Sequence, residues 1–168
     1  MIFLKMPYKA AQLIDREIQA GRVKETKENL ELLSQAFYQA REVDLATEVL
    51  ERAGNLSKDG EILAKRGYML LESNKVAEAI NSFEKSLLMG KLKDTGKVHY
   101  AIGLAHFSNN ELDLALNALK KAQKYKKTDS SVAALKQLKE LEIDAAVYGS
   151  EGLKSADLVE AAGSAAEG

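Results

Sequence analysis

The chain has 168 residues, a net charge of −1, and 46% hydrophobic and 29% charged residues, the composition of one globular domain rather than a disordered chain. With no Cys and only two His, a disulfide framework, a thiolate metal site and cysteine catalysis are excluded, and a histidine-built metal site nearly so. One Pro and no Trp leave too few turn breakers for a sandwich or barrel, and no apolar run reaches the roughly 18 residues that mark a membrane span.

In chain order, residues 1–6 hold an apolar patch but lack the positive flank, length and cleavage site of a signal peptide. Segment 7–20 reads as a helix opened by Pro7, whose missing N–H costs little at that place. Then come Leu30, Leu33, Ser34 and Phe37, followed by Ala46, Leu50 and Ala53. The rhythm returns in Leu63, Gly67 and Leu70 with Ala79, Phe83 and Ser86. It returns again in His99, Ile102, Gly103 and His106 with Ala115, Leu119 and Ala122. Ser34 to Gly67 and Ala46 to Ala79 are both 33 residues, while Gly67 to Gly103 and Ala79 to Ala115 are both 36. Landmarks that move in step mark a repeat, and their three-and-four spacing predicts two helices in each copy. The turns are Ala40-Arg41, Ser73-Asn74 and Asn109-Asn110, with Asn74 and Asn110 expected to N-cap the helices that follow. Ser34, Gly67 and Gly103 are small where the two helices cross, because a large side chain there would hold the backbones apart.

The ends differ from the middle. Ala10 and Ile14 stand 36 residues before Ala46 and Leu50, so 7–20 is expected to be a lone second helix, 1–6 the stump of its partner, and the chain a fragment of a longer array. Segment 128–148 is expected to be an amphipathic helix with Val132, Leu135, Leu138 and Leu141 inward and Lys136, Lys139 and Glu140 outward, covering the last repeat. Segment 149–168 carries Glu151, Asp157, Glu160 and Glu167 against Lys154. It is expected to be a flexible tail with at most a short helix near 157–162.

The pattern resembles the tetratricopeptide repeat (TPR) family, whose unit is about 34 residues with the form W-x2-L-G-x2-Y…A-x3-F. The resemblance implies an all-α fold, a right-handed α-solenoid of TPR helix hairpins with a C-terminal capping helix. The TPR domain would span 1–148: a partial repeat 1–24, full repeats 27–60, 61–94 and 96–128, and the capping helix 129–148, ahead of the tail 149–168. Arg66 departs from the family's Leu, and Lys58, Lys91 and Lys127 replace the closing Pro. Gly21-Arg22-Val23 and residues 90–97 supply the extra length behind the longer offsets.

A narrower resemblance rests on Lys9-Ala10-Ala11-Gln12-Leu13-Ile14, Ala20-Gly21-Arg22-Val23, Glu28-Asn29-Leu30-Glu31-Leu32-Leu33 and Gly90-Lys91-Leu92-Lys93-Asp94. Over 7–142 the chain looks like the C-terminal part of periplasmic TPR proteins associated with bacterial TonB systems. That resemblance implies a component of a TonB-dependent envelope transport complex, periplasmic in its full-length parent, with TonB-complex components as partners. The alternative is a cytoplasmic TPR adaptor or regulator.

No residue cluster points to an enzyme or a cofactor. His99 and His106 share a helix face but occupy packing positions, and no convergent ligands accompany them. Ser82-Phe83-Glu84-Lys85 matches a Ser-x-x-Lys pattern in mid-helix without its companion motifs. Asn55-Leu56-Ser57 is a glycosylation sequon by chance. The basic run 120–127 has one aromatic, Tyr125, and reads as a solvated face rather than a nucleic-acid site. What remains is the surface that the family resemblance assigns to a concave groove for a protein or peptide: Glu31, Gln35, Tyr38 and Gln39, then Lys65, Tyr68, Leu71 and Glu72, then Tyr100, Leu104, Phe107 and Ser108. Leu71 and Phe107 are equally suited to packing between units. Family members that hold a chaperone's terminal carboxylate use Lys, Asn and Arg where this chain has mostly Glu31, Gln35, Ala64 and Ala101, so that clamp is not expected. No direct membrane insertion is expected, and an apolar patch of Ile2, Phe3, Leu4 and Met6 with Leu13 and Ile14 at the N-terminal end is expected to pair two copies or fray.

Overall fold

A computed structural model describes residues 6–125 and 129–148, without the side chains of 129 and 141–148. The described residues form eight helices and no strand: α1 Pro7–Gln19, α2 Lys27–Gln39, α3 Val43–Ser57, α4 Gly60–Glu72, α5 Val76–Met89, α6 Thr95–Ser108, α7 Leu112–Tyr125 and α8 Asp129–Tyr148. Each helix packs on the next, most extensively within the pairs α2/α3, α4/α5 and α6/α7. This is an all-α solenoid of helix hairpins, as the repeat pattern predicts. The tail 149–168 and the stump 1–5 lie outside the described residues, as do Lys126 and Lys127 of the basic run.

The first helix of each pair starts on a side-chain cap. Thr26 accepts from the Asn29 N–H at 3.3 Å, Asp59 from Glu61 at 3.0 Å and Asp94 from Lys97 at 2.9 Å, each satisfying an N–H the helix cannot. The second helices start differently. Asn74 and Asn110 are not N-caps. They sit with Arg41 at φ 59°, 60° and 65°, in the left-handed region that ends the preceding helix. Their N–H groups bond the carbonyls of Leu71, Phe107 and Tyr38, and the next residue in each turn reaches back to Leu70, His106 and Phe37. The three turns are therefore built alike, and Asn recurs because it tolerates that conformation better than most residues.

The helix crossings are closed as the small residues require. Ser34 is buried and its hydroxyl donates to the Ala46 carbonyl at 2.9 Å. A Cβ on Gly67 would lie 2.5 Å from the Phe83 ring, and one on Gly103 would lie 2.7 Å from Leu119 Cγ. Ala46, Ala79, Ala115 and Phe83 are fully buried. Gly54, not singled out by the repeat pattern, meets Leu63 of the next pair in the same way. Arg66 fills its apolar position by folding inward: Nε donates to the Thr47 carbonyl at 3.1 Å and the guanidinium lies 3.1 Å from Glu51.

In α8, Leu135 and Leu138 pack on Ala115 and Leu119, and Lys136, Lys139 and Glu140 face out. Val132 does not point inward but is exposed. The inward stripe runs through Ser131, Leu135 and Leu138, an i, i+4, i+7 row that Val132 misses by one residue. Leu141 lies outside the described side chains.

Candidate functional site

The first helices of the pairs, α2, α4 and α6, lie side by side and carry the residues expected to face a groove. Between α2 and α4 their surface is bridged. Lys27 reaches Asp59 at 2.5 Å, Glu31 accepts from Lys65 at 3.4 Å, and the Tyr38 hydroxyl donates to Glu72 at 2.7 Å. Residues about one repeat apart face each other, so one pattern of opposite charge recurs up the stack. The Lys27 ammonium holds the Asp59 carboxyl below its usual range, and the Glu72 bond pushes the Tyr38 hydroxyl up. On the outer helices Lys85 bonds Glu51 at 2.8 Å and, with Arg66, keeps that carboxyl low.

Between α4 and α6 the surface is open. A cleft of about 510 Å³ runs along the N-terminal ends of α2, α4 and α6, and its walls include Lys65, Tyr68, Lys91, Lys93 and Lys97. Tyr68 stands edge-on to Phe83 with centroids 5.0 Å apart. Its other side meets Lys97, whose Nζ lies 5.2 Å from the ring centroid. Burial, then Glu61 and Asp94, push the Tyr68 hydroxyl up to about 12, so it stays a neutral donor.

The structure brings Glu31, Lys65 and Tyr68 to one cleft and pairs Tyr38 with Glu72. Gln35, Gln39, Leu104 and Ser108 are exposed on the same helices. Leu71 is half-buried against the second core cluster, and Tyr100 and Phe107 against the third, so these three serve packing. Lys91 and Lys93 were not expected at the groove. Their signal was present as the extra residues before the third pair, but the path of that linker is not written in the repeat pattern.

The histidines form no shared site. Neither is deeply buried, contrary to the packing expectation. His99 stacks on Tyr125 at 5.5 Å, and His106 Nδ1 lies 2.6 Å from Glu111 Oε2. Both rings lie where their helix meets the surface, so they cover the core edge instead of entering it. Among the described residues no group of three or more His, Cys, Asp or Glu converges as metal ligands, and no helix is long and apolar enough to cross a membrane.

No family model and no curated protein sequence matches the chain. Solved structures do. The N-terminal domain of stress-induced protein-1 (STI-1) from C. elegans aligns with a TM-score of 0.62 at 19% identity, covering 67% of this chain and 94% of that one. The first TPR of Spaghetti (RPAP3), bound to the HSP90 peptide SRMEEVD, aligns at 0.59 and 12% identity, covering 70% and 94%. YrrB, described as a TPR protein with an unusual peptide-binding site, aligns at 0.60 and 20% identity, covering 81% and 69%. These likenesses are of fold: the chain is built as TPR proteins are.

Proposed function

We propose that the chain is a protein-interaction scaffold, not an enzyme, and that its groove receives an extended segment of a partner protein. The observation that carries this reading is the open cleft along the N-terminal ends of α2, α4 and α6, with walls set by packed helices and by a linker whose backbone is hydrogen-bonded to the start of α4. Such a surface is preorganised, which lowers the cost of binding. The peptide carried by the RPAP3 repeats and the peptide site of YrrB, on the same fold, support peptide capture. For its setting we propose a TonB-type complex of the bacterial envelope, in the periplasm. The resemblance of 7–142 to periplasmic TPR proteins supports that setting. Pairing of two copies through the α1 end belongs to the same proposal, supported by exposed Met6, Tyr8 and Leu13.

The test is cross-linking in cells that express this protein, with and without Tyr68→Ala at the cleft wall. The expected result is an envelope partner, including TonB components, whose cross-link fades with the substitution. A cytosolic partner would contradict the setting, and a partner indifferent to Tyr68 would contradict the groove. Light scattering with and without Leu13→Glu tests pairing: a dimer that the substitution dissolves is expected, and a monomer in both cases would contradict it.

A further inference from the structure

The linker 90–94 is held in place at both of its ends. The Gly60 N–H donates to the Gly90 carbonyl at 3.1 Å, the Lys93 N–H donates to Glu61 Oε2 at 3.0 Å, and Asp94 caps α6. Gly90 and Lys91 adopt left-handed φ values of 73° and 58°, which turn the chain across the start of α4. The linker thereby carries Lys91 and Lys93 to the cleft already lined by Lys27, Lys65 and Lys97.

Of the acids nearby, Glu31 is paired with the Lys65 side chain and Asp59 with that of Lys27, while Glu61 and Asp94 accept the backbone N–H groups of Lys93 and Lys97. Among the described residues Lys91, Lys93 and Lys97 make no ion pair. The cleft lining holds five lysines against three carboxylates in a chain whose net charge is −1, so this positive excess is local. It also sits at the starts of α2, α4 and α6, whose helix dipoles add to it.

From this cluster we propose that the cleft is an acid-recognition subsite: it takes adjacent Asp or Glu side chains inside an extended partner segment, with Lys91, Lys93 and Lys97 supplying the counter-charge. The proposal rests on the groove reading above. It needs no free chain terminus, since the lysines come from the linker and the helix starts. Attraction across such a cleft weakens as salt shortens the roughly 10 Å Debye length at 0.1 M, so binding is tighter at low ionic strength.

The test is a selection on the whole 168-residue chain with random dodecamer peptides displayed between two fixed flanks, so that no peptide end is free. Enriched peptides are expected to hold adjacent Asp or Glu. Lys91→Gln/Lys93→Gln should weaken them about tenfold, and Lys120→Gln/Lys121→Gln, the same charge change on α7, by less than about twofold. Equal losses in both variants would overturn the proposal in favour of bulk charge. Enrichment without acidic residues, abolished by Tyr68→Ala at the cleft wall, would overturn it while leaving the groove reading standing. Absence of any enrichment would overturn both. A single-stranded DNA dodecamer that displaced the peptides and showed the same Lys91/Lys93 dependence would overturn the choice of a protein occupant. Unchanged circular-dichroism melts confirm that the variants fold.

Discussion

The junction between α2 and α4 and the junction between α4 and α6 are built from the same repeat and border one cleft, yet side chains bridge the first and, among the described residues, no side-chain hydrogen bond or ion pair bridges the second. At the first, a two-residue linker after α3 sets the helices in register, and Lys27, Glu31 and Tyr38 each find a partner on or capping α4. At the second, the longer linker after α5 brings Lys91 and Lys93 beside Asp94 and Glu61, whose carboxylates accept backbone N–H groups, and above the shared core the helices meet at the surface through Lys97 over Tyr68. The helix pairs flanking the open junction differ too. Gly67 is closed by the rigid, fully buried Phe83 ring, and Gly103 by Leu119, whose side chain can change rotamer. A repeat thus fixes the scaffold while its linkers decide where the surface stays available.

The sharpest way to break this comparison is at the crossings. Gly67→Leu should cost at least about 3 kcal/mol, the upper end of overpacking, and Gly103→Leu about 1–3 kcal/mol, because Leu119 can yield where a packed ring cannot. Urea unfolding of the two variants checks it; equal losses would mean that ring stiffness is not the difference.

What the sequence makes legible follows from this. Ser34, Gly67, Gly103 and the facing alanines could be read because packing at a crossing constrains residue size at a fixed period. Asn74 and Asn110 misled because an Asn before a helix also suits the left-handed end of the one preceding it. Val132 misled because a stripe one residue to the side still looks amphipathic. Arg66 looked like a departure, and only the folded chain shows a carbonyl and a carboxylate within its reach. Lys91 and Lys93 were unreadable as groove residues, since their position depends on two left-handed residues and two backbone bonds rather than on the repeat.

A smaller effect sharpens the closed junction. Asp59→Ala removes both a cap and the Lys27 partner and should cost about 1 kcal/mol, whereas Asp59→Asn keeps the cap and should cost less. Because Lys27 lowers the Asp59 carboxyl, the contribution of that pair is complete above the usual carboxylate value near pH ~4 and is lost as pH falls through the lowered one. Thermal melts from pH 6 down to pH 2 should therefore fall less steeply for Asp59→Asn than for the parent; parallel curves would show that the pair is idle.

The smallest effect belongs to the third pair. Burial first, then Lys121, hold the His99 ring below its usual value, so its neutral form is favoured in the fold, and its contribution is full above about pH 6.5 and lost as pH falls. His99→Leu should change stability by no more than about 0.5 kcal/mol at pH 7 and reduce the drop in melting temperature between pH 7 and 5. An undiminished drop would place the acid sensitivity elsewhere.

The most direct measurement is a crystal structure of the chain with one selected acidic peptide bound. The account predicts an extended peptide along the α4–α6 junction, with carboxylates at Lys91, Lys93 and Lys97 and the α2–α4 bridges unbroken. A peptide lying along α2 with the Glu31–Lys65 and Tyr38–Glu72 contacts displaced, or one seated on the outer helices, would contradict it.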